Sequence, residues 1–148
     1  MIAALYVVLT YLASMLGLAS GAIQIRFSEA LCILPFFTAA AVPGLFAGCV
    51  ISNLLMGSAL LDVIFGGLAT LLGAVITRKL RFQKWLAPLG PIVSNTVIVP
   101  FILLYAYGVR PLWFSVITVG IGEIISCGVL GMILLFSLKK YSSKIFTV

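Results

Sequence analysis

The sequence predicts an all-α integral membrane bundle of six transmembrane helices, one domain over residues 1–148, with both termini in the cytoplasm. Three observations carry that prediction. First, 64% of the residues are hydrophobic and 8% are charged, with a mean hydropathy of +1.33. A soluble domain carries roughly 25% charged residues to face water, so this chain can clothe only a surface that faces lipid. Second, the 12 charged side chains stand between long apolar runs, and a span takes about 20 apolar residues. Third, the basic residues cluster in two places that a six-helix path puts on one side of the membrane.

The elements follow in order. Met1 to about Ala19 is the first span, and it reads as a retained helix, since a signal peptide would carry a positive N-terminal region. Gly21 to Phe27 is a polar loop holding Gln24 and Arg26. Residues 30–61 carry no charge, and as one helix these 32 residues would reach about 48 Å. A break is therefore expected, and Val42-Pro43-Gly44 supplies it, because Pro43 suits a first helical turn and disfavours helical geometry at Val42. Helix 2 spans about 28–40 and helix 3 about 43–57. Helix 4 starts near Leu61 and ends at Arg78-Lys79-Leu80-Arg81. Helix 5 runs from Pro91 to Tyr107 with a kink at Pro100, and helix 6 from Pro111 to Leu138, long enough to span with tilt.

Arg78, Lys79, Arg81 and Lys84 lie between helices 4 and 5, and Lys139, Lys140 and Lys144 in the tail. Six helices put these seven of nine basic residues in the cytoplasm. Five helices with the N-terminus outside would put eight inside, so charge alone does not choose. The Pro-Gly break and the length of 30–61 select six. Gly17 and Gly21, Gly44 and Gly48, and Ala69 and Gly73 are small pairs at helical spacing, which let backbones approach closely within the bundle.

Several functions are excluded. There is no histidine, the commonest metal ligand and general base, so neither a Ser-His-Asp triad nor HExxH exists. No P-loop is present. No catalytic or metal-binding residue is expected, and this chain reads as a non-enzyme. Cys32, Cys49 and Cys127 have no CxxC spacing and read as small buried hydrophobes. The net charge of +6 fits cytoplasmic ends against anionic lipid, not nucleic acid.

The informative residues are those that hydrocarbon excludes. The only acids are Glu29, Asp62 and Glu123. Glu29 and Asp62 open helices 2 and 4 at the outer side, where each either favours the helix dipole or faces a ligand; Arg26, three residues before Glu29, is positioned to pair with it. Glu123 lies twelve residues past Pro111, about 18 Å down helix 6, where a lone carboxylate costs at least ~2.5 kcal/mol and normally faces a cavity or partner. Asn53 and Asn95 lie in helices 3 and 5; Asn95 either orients a ligand, or bonds a neighbouring helix or the backbone freed by Pro100. With the aromatic residues Phe27, Tyr105 and Trp113 they suggest an outward-opening binding site. Its ligand should be flat and rich in hydrogen-bond donors, or cationic, since a carboxylate accepts two parallel N–H bonds strongly in a dry site.

These residues sit in stretches that resemble the QueT family of queuosine-precursor transporters, the substrate-binding (S) components of energy-coupling factor importers. The matching stretches are Gln24-Ile-Arg-Phe-Ser-Glu-Ala-Leu31, Leu34-Pro-Phe-Phe37, and Val42-Pro-Gly through Ser52-Asn53. Leu61-Asp through Leu72, Lys84-Trp-Leu-Ala-Pro88, Ser94-Asn95, Pro100-Phe101 and Gly122-Glu123 follow. The resemblance covers nearly the whole chain and rests on the order of the motifs. It implies uptake of a 7-deazaguanine such as preQ1, preQ0 or queuine from outside a cell membrane that the chain crosses several times. It also implies a transmembrane coupling protein and two cytoplasmic ATPases as partners, which use the ATP, so the chain itself needs no cofactor. Arg26, Phe27, Glu29, Asn53, Asp62, Asn95, Tyr105, Trp113 and Glu123 are the expected ligand contacts. In such subunits an Ala-x-x-x-Ala surface on helix 1 docks the coupling protein; here Ala3 is followed by Val7 and Ala4 by Val8, a degenerate version. A self-sufficient proton-coupled transporter or efflux protein with Glu123 as carrier is the alternative. A non-transporting assembly subunit, whose acids meet a partner's cations, is a third.

Overall fold

The first helix fixes the style of packing. In the computed structural model, which describes residues 1–18, 23–141 and 144, α1 (Ile2–Met15) lies against α2 (Ala41–Leu55). Glycine permits that approach: a Cβ on Gly48 would stand 2.7 Å from the Cβ of Tyr6 and 3.1 Å from the Cα of Ala3. The Gly44/Gly48 pair thus packs within the bundle, as expected, and Ala69/Gly73 does the same where α3 (Gly67–Lys79) crosses α4 (Leu89–Tyr107). The crossing is tight, since a Cβ on Gly90 would meet the Gly73 carbonyl at 2.5 Å. Gly21, of the third pair, and Ala19 lie outside the described residues, and α1 itself ends at Met15.

Expected helix 2 is a 3-10 segment, Phe27–Phe36, rather than an α-helix to residue 40. Pro35 accounts for the early end, because it has no amide hydrogen and disfavours α geometry at Leu34. At 2.0 Å per residue the segment is about 20 Å long. It threads the middle of the bundle, touching α1, α2, α3 and the C-terminal helix. Ser28, Glu29 and the run Leu31–Pro35 are buried on it, and Ile33 is fully enclosed with Leu45, Tyr6 and Leu135. Arg78 donates to the Pro35 carbonyl at 3.2 Å and satisfies an acceptor at its end. The chain turns over residues 37–40, so α2 starts two residues before Pro43, which sits in its first turn as expected.

A π-helical turn, Asp62–Gly66, leads into α3. A 3-10 turn, Lys84–Leu86, precedes α4, whose end is capped by Gly108 at φ +66°. Leu112–Lys139 is one rod of 28 residues: α5 (Leu112–Glu123), a π stretch Ile124–Leu130, and α6 (Gly131–Lys139). Six helical segments result, with no strand among the described residues. Lys84–Tyr107 and Leu112–Lys139 are each long and apolar enough to cross a membrane. All three cysteines are buried and free.

Candidate functional site

The polar residues that hydrocarbon should exclude converge on one cavity. Glu29, Asn53, Asp62, Asn95 and Glu123 all line it, with Arg26. The cavity continues to a mouth bordered by Ser14, Met56, Ser58 and Tyr107. Its walls are helical rows at a spacing of four: Cys49 and Asn53 on α2, Asp62, Gly66 and Thr70 into α3, Asn95, Val99 and Leu103 on α4, and Val119 and Glu123 on α5. Four-residue spacing keeps side chains on one helix face.

Glu29 is buried and firmly held. Its Oε1 accepts from the Tyr6 hydroxyl at 2.9 Å, and its Oε2 from the Cys32 thiol at 3.2 Å and Asn95 Nδ2 at 3.4 Å. Thr10, one turn after Tyr6, donates to the Tyr6 carbonyl and stands 3.0 Å from the Ser28 hydroxyl. The 3-10 segment is thereby tied to α1 by side chains. Asn95 therefore bonds a neighbouring helical segment, through the Glu29 carboxylate, rather than backbone freed by Pro100.

Glu123 is 9% exposed, and its Oε2 has no hydrogen-bond partner among the described residues. A buried carboxylate oxygen without a partner is costly, and its residue borders the cavity. The π stretch begins immediately after Glu123, and the other π turn begins at Asp62; such turns occur frequently at functional sites. Asp62 is half-buried: its Oδ2 accepts from the Tyr107 hydroxyl at 3.1 Å and its carbonyl from Asn53 Nδ2 at 3.2 Å. Gly66 clears room for it, since a Cβ there would lie 2.9 Å from Asp62 Oδ1.

The stretch from Gln24 to Arg26 passes beside Gly122 and Ser126. Gly122 gives it passage, because a Cβ at that position would collide with the Gln24 carbonyl. The Arg26 amide donates to Ser126 Oγ at 3.1 Å. The Arg26 guanidinium donates to Gln24 Oε1 at 3.3 Å rather than pairing with Glu29, against the expectation from their spacing. The 3-10 path from Arg26 onward aims Glu29 at Tyr6 instead.

Three expected contacts are not brought to the cavity. Phe27 is half-buried and does not line it. Tyr105 is 74% exposed beside Leu61, Phe65 and Phe101 on the outer face of the bundle, two residues and so about 200° around α4 from Tyr107. Trp113 is 63% exposed and packs edge-on against Phe114. Tyr107 borders the mouth and Tyr6 bonds Glu29 from behind the cavity wall; sequence reasoning missed both, together with Gln24, Thr70 and Thr118. Stepping by four from Asn53, Asp62 and Asn95 would have found the cavity rows. Of the four expected docking residues, Ala3 faces α2, Val7 is half-buried, and Ala4 and Val8 are exposed.

Comparison with known proteins gives a consistent picture. A family model described as the QueT transporter matches residues 1–140. The chain is 43% identical over 70 residues to the queuosine precursor transporter QueT of Lactococcus lactis subsp. cremoris (strain MG1363). That match covers 47% of this chain and 41% of the relative, so it spans less than half the length of either. No solved structure matches the chain.

Proposed function

This chain belongs to the QueT transporter family, and we propose that it is the membrane-embedded, substrate-binding subunit of an energy-coupling factor importer. It binds a queuosine precursor, a 7-deazaguanine such as preQ1, preQ0 or queuine, from outside the cell. The observation that carries this reading is the unpartnered, buried Oε2 of Glu123 in a cavity walled by amides and a second, fully bonded carboxylate. A carboxylate so placed accepts the two parallel N–H groups on the edge of a guanine-like base, and the dry surroundings strengthen both bonds. Asn53 and Asn95 fix the orientation of the base, and Gln24 with Arg26 closes the side of the cavity. Glu29, saturated by Tyr6, Cys32 and Asn95, holds Asn95 in place.

The importer topology is six spans in the cell membrane with both termini in the cytoplasm. Its support is the number of helical segments and the seven basic residues that this path gathers at one end. A transmembrane coupling protein docks on α1, where Ala4 and Val8 form the exposed small-residue surface, and two ATPases drive the cycle. Proteoliposomes holding the chain with these partners should accumulate labelled 7-aminomethyl-7-deazaguanine only with ATP inside the vesicle-equivalent of the cytoplasm. The same unpartnered carboxylate would suit a proton carrier, which is the rival reading. Uptake by the chain alone, driven by a proton gradient and stopped by an ionophore, would establish that rival.

A further inference from the structure

We propose that the cavity selects by charge as well as by shape: it takes a flat, N–H-rich heterocycle bearing one ammonium arm, with the arm received by Asp62. The inference rests on the binding reading above and adds a preference among 7-deazaguanines that nothing there requires. Three carboxylates and one guanidinium line the cavity. The guanidinium is engaged with the Gln24 amide, not with an acid. Glu29 carries donors on both oxygens. Two carboxylates are left to receive a ligand, and they differ in setting. Glu123 is buried and its Oε2 is empty of partners. Asp62 is half-buried, borders both the deep cavity and its mouth, and takes one phenolic hydrogen from Tyr107 on Oδ2.

That difference assigns the two halves of the ligand. Neutral N–H groups lose little on leaving water and gain most in the dry floor, at Glu123. An ammonium is expensive to dehydrate, so it binds best beside a carboxylate that keeps part of its hydration. Asp62 offers that at the wetter end, and the absence of a side chain at Gly66 leaves room at its Oδ1, where a Cβ would stand 2.9 Å away.

The test is calorimetric titration of the full chain in nanodiscs with three ligands that share the base. These are 7-aminomethyl-7-deazaguanine, a cation; 7-cyano-7-deazaguanine, a neutral nitrile; and unsubstituted 7-deazaguanine. The cation should bind about tenfold or more tightly than either neutral ligand, the scale of one charge-assisted contact. In Asp62→Asn the ratio should shrink to about threefold or less, because the cation loses more than the nitrile does. Nitrile binding as tight as cation binding overturns the charge preference and leaves the binding reading standing. Equal loss of all three ligands in Asp62→Asn overturns the assignment of the arm to Asp62. Failure of a folded wild-type chain to bind any of the three overturns the binding reading itself. Should Asp62→Asn not fold, the wild-type ranking alone still decides charge preference.

Discussion

Replacing Tyr6 by Phe removes one oxygen from the centre of the bundle and nothing else. The ring of Tyr6 is 1% exposed and sits against Gly48, so Phe preserves the packing of α1 on α2. What is lost is the 2.9 Å bond to Glu29 Oε1. A buried hydrogen bond to a charged acceptor contributes about 1.5–3 kcal/mol. For a chain of this size each kcal/mol moves the melting temperature by about 2–4 °C, so the variant should melt roughly 3–12 °C below wild type. The comparison is made in one detergent, by a thermal-shift or scattering assay on both proteins. Glu29 retains Cys32 and Asn95 as donors, so the protein should fold. In a Glu29→Gln background the same change should cost less, about 0.5–1.5 kcal/mol, because the bond is then neutral. A melting temperature within about 1 °C of wild type, or equal costs in both backgrounds, would refute the claim that this bond ties α1 to the site.

Four further outcomes follow from the same geometry. Gly90→Ala should destabilise by about 1–3 kcal/mol in a melt, since its Cβ would press on the Gly73 carbonyl, the Thr77 amide and the Thr77 hydroxyl, the last held by its bond to the Ala87 carbonyl. Gly122→Ala should displace the loop that carries Gln24 and Arg26 and weaken ligand binding about tenfold, by loss of roughly one good contact; unaltered affinity in titration would remove that loop from the site. Tyr105→Ala and Trp113→Ala should leave ligand affinity within about twofold, well under the 1.4 kcal/mol of a tenfold change, because both side chains face away from the cavity. Single cysteines placed at Lys84 and Lys144 should react with an impermeant thiol reagent only in broken or inverted vesicles, against low background because the native thiols are buried. Labelling of either one in intact cells would contradict cytoplasmic ends.

Much of this site was legible because charge in an apolar chain is informative. Glu29, Asn53, Asp62, Asn95 and Glu123 were singled out as residues that lipid excludes, and all five border one cavity. The expected aromatic residues do not line it, for the converse reason: an aromatic ring is as much at home in lipid as beside a ligand, so composition cannot tell Tyr105 from Tyr107. Only their register on α4 does. The ion pair expected between Arg26 and Glu29 presumed α-helical spacing, whereas Arg26 is extended and the segment after it is 3-10. Pro35 is a local cue to that segment, but its central, fully surrounded course depends on contacts with α1, α3 and the C-terminal rod. The two π stretches left no mark beyond the acids at which they start.

The proposed binding rests most on Glu123, whose Oε2 is buried without a partner beside the cavity. Calorimetric titration of the purified chain with 7-aminomethyl-7-deazaguanine, beside Glu123→Gln of equal melting temperature, tests it most directly. Saturable one-to-one binding by the wild type, weakened about tenfold or more in the variant, is the predicted result. Binding of equal strength in both proteins, or none in a folded wild type, would contradict it.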